Sequence, residues 1–139
     1  MYLLDTDTLT HLHAGHPRVI EQLRQVNDPE IGIAIITKIE ILRGRHEFLL
    51  KASTGEELLR AYHWLTRSEE LLEQILILPI DAESANVFDQ LRMQPSLRKI
   101  GRADLLIASI TIAQRATLVT RNLRHFRMIQ GLNLTNWVD

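Results

Sequence analysis

At 139 residues, with 45% apolar and 24% charged residues, the chain has the size and composition of one globular domain with a full core, since domains run to roughly 100–200 residues. Its lack of cysteine excludes a disulfide framework, a thiolate metal centre and a cysteine nucleophile, and a net charge of −1 carries no overall signature of a nucleic-acid binder. The opening residues Met1-Tyr2-Leu3-Leu4-Asp5 hold no basic stretch, and no apolar run approaches the roughly 20 residues of a membrane span, so a soluble cytoplasmic protein is expected.

Tyr2–Leu4 is a short apolar run that predicts a first strand ending at Asp5. Residues 8–14 and 17–26 read as helices, the second opened by Pro17, whose fixed φ suits a first helical turn. Residues 31–36 are rich in β-branched side chains and predict a strand, followed by a helix over about 37–46. Across 56–76 the apolar residues Leu58, Leu59, Tyr62, Leu65, Leu71, Leu72 and Ile75 recur at helical spacing. Residues 75–80 predict a strand stopped by Pro79, and a helix follows with Asp81 as its N-cap, running to about Met93. Residues 102–115 predict a helix apolar on most sides and therefore central. Residues 117–120 predict a strand, and 132–134 a last strand at a sheet edge. There is no repeat, linker or low-complexity segment to divide the chain, so residues 1–139 are expected to form a single domain.

Strands alternating with helices predict an α/β fold with a parallel sheet covered on both faces. In such sheets ligands lie in the crevice beyond the carboxyl ends of the strands. Asp5 falls at the end of the first strand, Thr37 and Glu40 after the second, and Thr120 and Asn122 after the strand at 117–120. Asp104 sits in the first turn of the central helix. Separate segments therefore deliver polar groups toward one edge of the sheet.

Clustered carboxylates repel one another unless a cation joins them, and an oxygen-rich site prefers Mg²⁺ or Mn²⁺. Such an ion suits phosphodiester hydrolysis, because it acidifies water and stabilises the leaving oxygen. Most of these residues also have a plainer explanation. Thr37-Lys38-Ile39-Glu40 fits a capping box, Asp104 favours a helix dipole, and Asn122 could cap a short helix over 123–126. Asp5 alone has no evident structural task. Around Asp104 the stretch from Arg92 to Arg127 is otherwise basic, through Arg92, Arg98, Lys99, Arg102, Arg115, Arg121, Arg124 and Arg127. This is what a phosphate-binding surface beside a metal ligand looks like, and solvated scatter explains it equally well.

Of the histidines, spacing places only His13 and His16 on one helical face, with His11 apart, and solvated or helix-end roles are expected for all three. Trp64 and Trp137 are expected as core or interface anchors.

Leu3-Leu4-Asp5-Thr6-Asp7, then Ile36-Thr37-Lys38-Ile39-Glu40-Ile41-Leu42-Arg43-Gly44, then Ile100-Gly101-Arg102-Ala103-Asp104-Leu105-Leu106-Ile107-Ala108, then Leu118-Val119-Thr120-Arg121-Asn122 with His125-Phe126, taken in that order, resemble a PIN domain. More narrowly they resemble a VapC-type toxin of a bacterial toxin–antitoxin pair, and the resemblance spans almost the whole chain, with Gly131-Leu132 and Trp137 fitting the closing strand. It implies a three-layer α/β/α sandwich with a mainly parallel sheet and Mg²⁺- or Mn²⁺-dependent RNA cleavage. It also implies dimerisation, inhibition by a VapB-type antitoxin, and assembly into a larger complex that reaches operator DNA through the antitoxin. Asp5, Glu40 and Asp104 match the family's acidic metal-site residues, Glu40 possible through water, with Thr120 in support. The family's fourth acidic position falls at Asn122, an amide, and Asp7 stands where asparagine is usual, so Asp7 is a candidate for restoring the missing charge. The resemblance also makes helices within 47–75 a protruding pair that meets antitoxin and partner subunit. Arg43, Arg98, Arg121 and Arg124 are candidates for phosphate contacts, and His125 lies beside the expected site.

Two rivals remain from other classes. Asp5-Thr6-Asp7-Thr8-Leu9 also resembles the D-x-D-x-T motif of haloacid-dehalogenase-type phosphatases, with Asp5 as covalent nucleophile and Asp7 as general acid/base. A module that holds an antitoxin on operator DNA without cleaving RNA is the non-enzymatic reading.

Overall fold

The structure, a computed structural model, describes residues 1–27 and 30–139. Its five strands are β1 (Tyr2–Leu4), β2 (Ile31–Ala34), β3 (Leu76–Leu78), β4 (Thr117–Val119) and β5 (Asn133–Thr135). They form one sheet in the order β3-β2-β1-β4-β5 with every pair parallel. Parallel neighbours need crossover connections, which helices supply: α1 (Thr6–His13), α2 (Pro17–Gln25), α3 (Ile35–Lys51), α4 (Gly55–Glu73), α5 (Ala82–Arg92), α6 (Arg102–Ala113) and the short α7 (Leu123–Phe126).

Successive strand residues face opposite sides of a sheet, and that alternation builds two cores. Leu3, Ala34, Leu78 and Leu118 join α5 and α6 through Leu91, Leu105, Ile107 and Ile110, together with Phe126. Leu4, Ile33 and Val119 join Leu9 and Val19 of α1 and α2, Leu72 of α4, and Trp137. Helices thus cover both faces, which is why these strands read as continuous apolar runs. At Gly32 a Cβ would come within 2.5 Å of the Leu76 carbonyl oxygen, so the pairing of β2 with the edge strand β3 requires glycine there.

The N-cap expected at Asp81 is present and extends to a capping box, with the Asp81 carboxylate accepting from the Ser84 N–H and the Ser84 hydroxyl from the Asp81 N–H. The strand expected over 31–36 stops at Ala34, and Ile35 and Ile36 open α3. Packing overrides β-branched propensity here, because Ile36 enters the core from the first helical turn. α3 continues past His46 to Lys51 and pairs with α4, and this pair exposes Phe48, Leu58, Leu59 and Tyr62. Among the described residues no helix is long and apolar enough to cross a membrane.

Candidate active site

β1 lies between β2 and β4, so the connections leaving its two neighbours diverge at its carboxyl end. This is the switch point where open parallel sheets bind ligands. A cavity of about 650 Å³ opens there, lined by Asp5, Thr6, Asp7, Thr10, Glu40, Asp104, Arg121, Asn122 and Phe126.

Asp5 is held from two sides. Its backbone N–H donates to the Val119 carbonyl at 3.0 Å, and its Oδ1 accepts from the Thr8 N–H at 2.8 Å, capping α1. The expectation that Asp5 has no structural task is therefore corrected. Burial raises its carboxyl pKa above the ordinary range, against the hydrogen bonds from Thr120 and Thr8, while the charge of Asp7 adds to the rise.

Glu40 reverses the expectation in the other direction. The N-cap of α3 is Ala34, without a side-chain cap bond, so Thr37 and Glu40 form no capping box. Thr37 is fully buried inside the first turns. The Thr6 hydroxyl donates to Glu40 Oε1 at 2.6 Å and stands 3.4 Å from the Thr37 hydroxyl. The carboxylate is aimed by α1 across to α3 and satisfies no end of its own helix.

Asp104 occupies the first turn of α6, with Oδ2 3.4 Å from His125 Nε2. Its pKa is also raised, chiefly by burial; His125 opposes the rise, and the negative charges of Glu40 and Asp5 add to it. Thr120 is fully buried, its N–H donating to the Thr135 carbonyl and its hydroxyl accepting from the Asn122 N–H at 3.0 Å. Asn122 precedes α7 but makes no side-chain cap bond, so the capping role expected of it is absent and its amide is left to the cavity.

Of the arginines singled out from sequence, Arg121 lines this cavity and is tied to Asp139 at 3.3 Å. Arg43 and Arg124 are exposed and are not among its lining residues, and Arg98 lines a different cavity. Asp7 lines the rim, its Oδ2 3.6 Å from His11 Nδ1. The histidine pair that forms is His11 with His16, ring centres 5.3 Å apart, not His13 with His16. The chain reverses at Gly15 (φ +80) and the His16 N–H donates to the His11 carbonyl, which helical spacing cannot foresee. Trp137 is core, whereas Trp64 is exposed beneath the Arg45 guanidinium. Thr6, Thr10 and Phe126 escaped the sequence reading; the position of Thr6 between Asp5 and Asp7 was the available signal.

The donors facing the cavity are oxygens, and two of the three carboxylates already attract protons more than usual, so a hard divalent cation fits them. Among the described residues no three Asp, Glu or His side chains are gathered into a ready-made ligand set. Mg²⁺, which retains several waters and needs only one or two carboxylates, is compatible with that spacing.

These features define an α/β protein with an acidic cavity at its switch point. The family model described as PIN domain matches residues 2–131. The chain is 30% identical to "Ribonuclease VapC2" of Rickettsia felis, covering 99% of this chain and 98% of that one. The solved VapBC2 of Rickettsia felis, bound to a promoter DNA fragment, superposes with a TM-score of 0.77 at 28% identity over 98% of each chain. VapBC-1 of nontypeable Haemophilus influenzae gives 0.75 at 25% identity, over 99% and 98%. The chain belongs to the PIN domain family, among its VapC-type toxins. That membership displaces the haloacid-dehalogenase reading of Asp5 and Asp7.

Proposed function

We propose that this protein is the endoribonuclease toxin of a VapBC-type toxin–antitoxin pair, cleaving RNA in the cytoplasm with Mg²⁺ or Mn²⁺ bound by Asp5, Glu40 and Asp104. The observation that carries the reading is that Asp5, Glu40 and Asp104, delivered by three separate segments at α1, α3 and α6, all line the one switch-point cavity. A divalent cation bound there supplies acidification of water and charge stabilisation at the phosphate. The chain's own residues hold the geometry. Val119 and the Thr8 N–H fix Asp5, Thr6 aims Glu40, and His125 steadies Asp104. Asn122 offers an amide to water or substrate without adding charge, and Thr120 sets the turn that presents it.

A VapB-type antitoxin is the partner, meeting the exposed apolar residues of α3 and α4. The toxin is read as a homodimer, reaching operator DNA only through the antitoxin. The solved VapBC2 and VapBC-1 pairs, the first bound to promoter DNA, support the antitoxin partner and the operator complex.

The test is incubation of purified, antitoxin-free protein with cellular RNA and Mg²⁺ or Mn²⁺, followed by sequencing of the new ends. Cleavage at defined positions, lost with EDTA and in Asp104→Asn, is the expected result. Intact RNA with metal-loaded protein would turn the reading to a non-cleaving module.

A further inference from the structure

The first turn of α6 faces two cavities. Asp104 enters the acidic one, while Arg102 and Leu105, three positions apart and so on a shared face, enter a second of about 200 Å³. Leu97, Ile100 and Leu105 are buried at its floor and the half-buried Phe88 forms part of its wall. Arg92, Arg98 and Arg102 stand exposed around it. Arg92 is engaged by Asp89 at 2.9 Å. Among the described residues no carboxylate pairs with Arg98 or Arg102. Arg121, inside the acidic cavity, is by contrast already tied to Asp139.

Two uncompensated guanidiniums above an apolar floor with an aromatic wall match one nucleotide. Planar guanidiniums clasp phosphate oxygens, and an aromatic ring with aliphatic neighbours accepts an unstacked base. An acidic peptide would satisfy the charge but has no need of the base-sized apolar floor, nor of a position one helical turn from a cavity suited to phosphodiester chemistry.

We infer that this second cavity binds a nucleotide of the RNA strand flanking the cleaved bond, with Arg98 and Arg102 on its phosphate and its base against Phe88 and the floor. The inference rests on the ribonuclease reading and adds a substrate subsite to it.

The test uses single-stranded oligoribonucleotides built around the mapped cut and shortened stepwise from each end. They are assayed with wild type, with Arg98→Ala/Arg102→Ala, and with Arg24→Ala as an exposed charge control on α2. The double variant is expected to lose about tenfold in kcat/KM on the long oligomer, and its log–log salt dependence to flatten by about 0.7, the increment of one single-strand phosphate contact. On oligomers too short to reach the cavity, wild type should fall to the variant's level, and Arg24→Ala should follow wild type throughout. An equal loss at every length, no loss at any length, or weakened antitoxin binding with unchanged cleavage would each overturn the subsite while leaving the ribonuclease intact. Absence of any cleavage by wild type would instead remove the reading beneath it.

Discussion

The helices α1 and α3 begin in comparable places, each directly after one of two neighbouring parallel strands, and each brings a carboxylate to the same cavity. They use those carboxylates differently. Asp5 spends one oxygen on the Thr8 N–H and so ends the strand, starts the helix and lines the cavity at once. Glu40 serves no helix end; α3 starts without a side-chain cap, and its carboxylate is held by Thr6 of the other helix. One acid is therefore part of the fold as well as the site, and the other belongs to the site alone.

Substitution at Asp5 separates its two duties and should give the largest effect. Asp5→Asn and Asp5→Ala are both expected to lose RNA cleavage on the order of a hundredfold or more, as removal of several kcal/mol of metal-borne stabilisation implies. Asparagine caps as well as aspartate, so only the alanine variant should also lose about 1 kcal/mol in denaturant unfolding. Equal destabilisation by both would show that the cap contributes little.

At the other helix the effects should be smaller. Thr6→Val leaves Glu40 unaimed, and cleavage is expected to fall about tenfold, the scale of groups that orient a metal ligand, with near-native unfolding. Thr37→Val should change stability by less than the roughly 1 kcal/mol that loss of an N-cap costs; a full loss of that size would reinstate Thr37 as the cap.

The finest distinction is in pH dependence. Asp5 and Asp104 have pKa values raised in the folded state, so the folded chain binds more protons than the unfolded one between the ordinary carboxylate range and those raised values. Stability contributed by these groups is therefore present at low pH and lost as pH rises through that window. In metal-free buffer, Asp104→Asn should show a shallower decline than wild type. Mn²⁺ added at neutral pH should raise the unfolding midpoint of wild type more than that of the variant, and equal shifts would argue against Asp104 as a ligand.

Periodicity and local punctuation made most of the fold legible. The apolar run of β1, the Asp81 cap and the apolar spacing of α4 and α6 each act within a few residues, and the structure keeps them. What was missed depended on distant partners. Ile35 and Ile36 carry strand propensity but meet α3's packing, and Thr37 fits a capping pattern while the helix already begins at Ile35, with Ala34 as its N-cap. Of the site, Asp5 stood out because charge at a strand end is unusual, and Glu40 and Asp104 only through the resemblance to a PIN domain, whereas Thr6 is neutral and matters only through a hydroxyl reaching across to Glu40. His11 and His16 meet through a reversal at Gly15 that no helical period encodes.

The bond from Asp5 to Val119 also sets an order on biosynthesis. Strand β1 can align with β2 early, but the Asp5 N–H and the Thr8 hydroxyl both wait for the Val119 carbonyl, and so distant a contact is intrinsically late. A nascent chain short of Val119 holds Asp5 without its anchor and lacks Thr120, Arg121 and Asn122 altogether. The ribosome thus finishes most of the polypeptide before the walls of the switch-point cavity can come together.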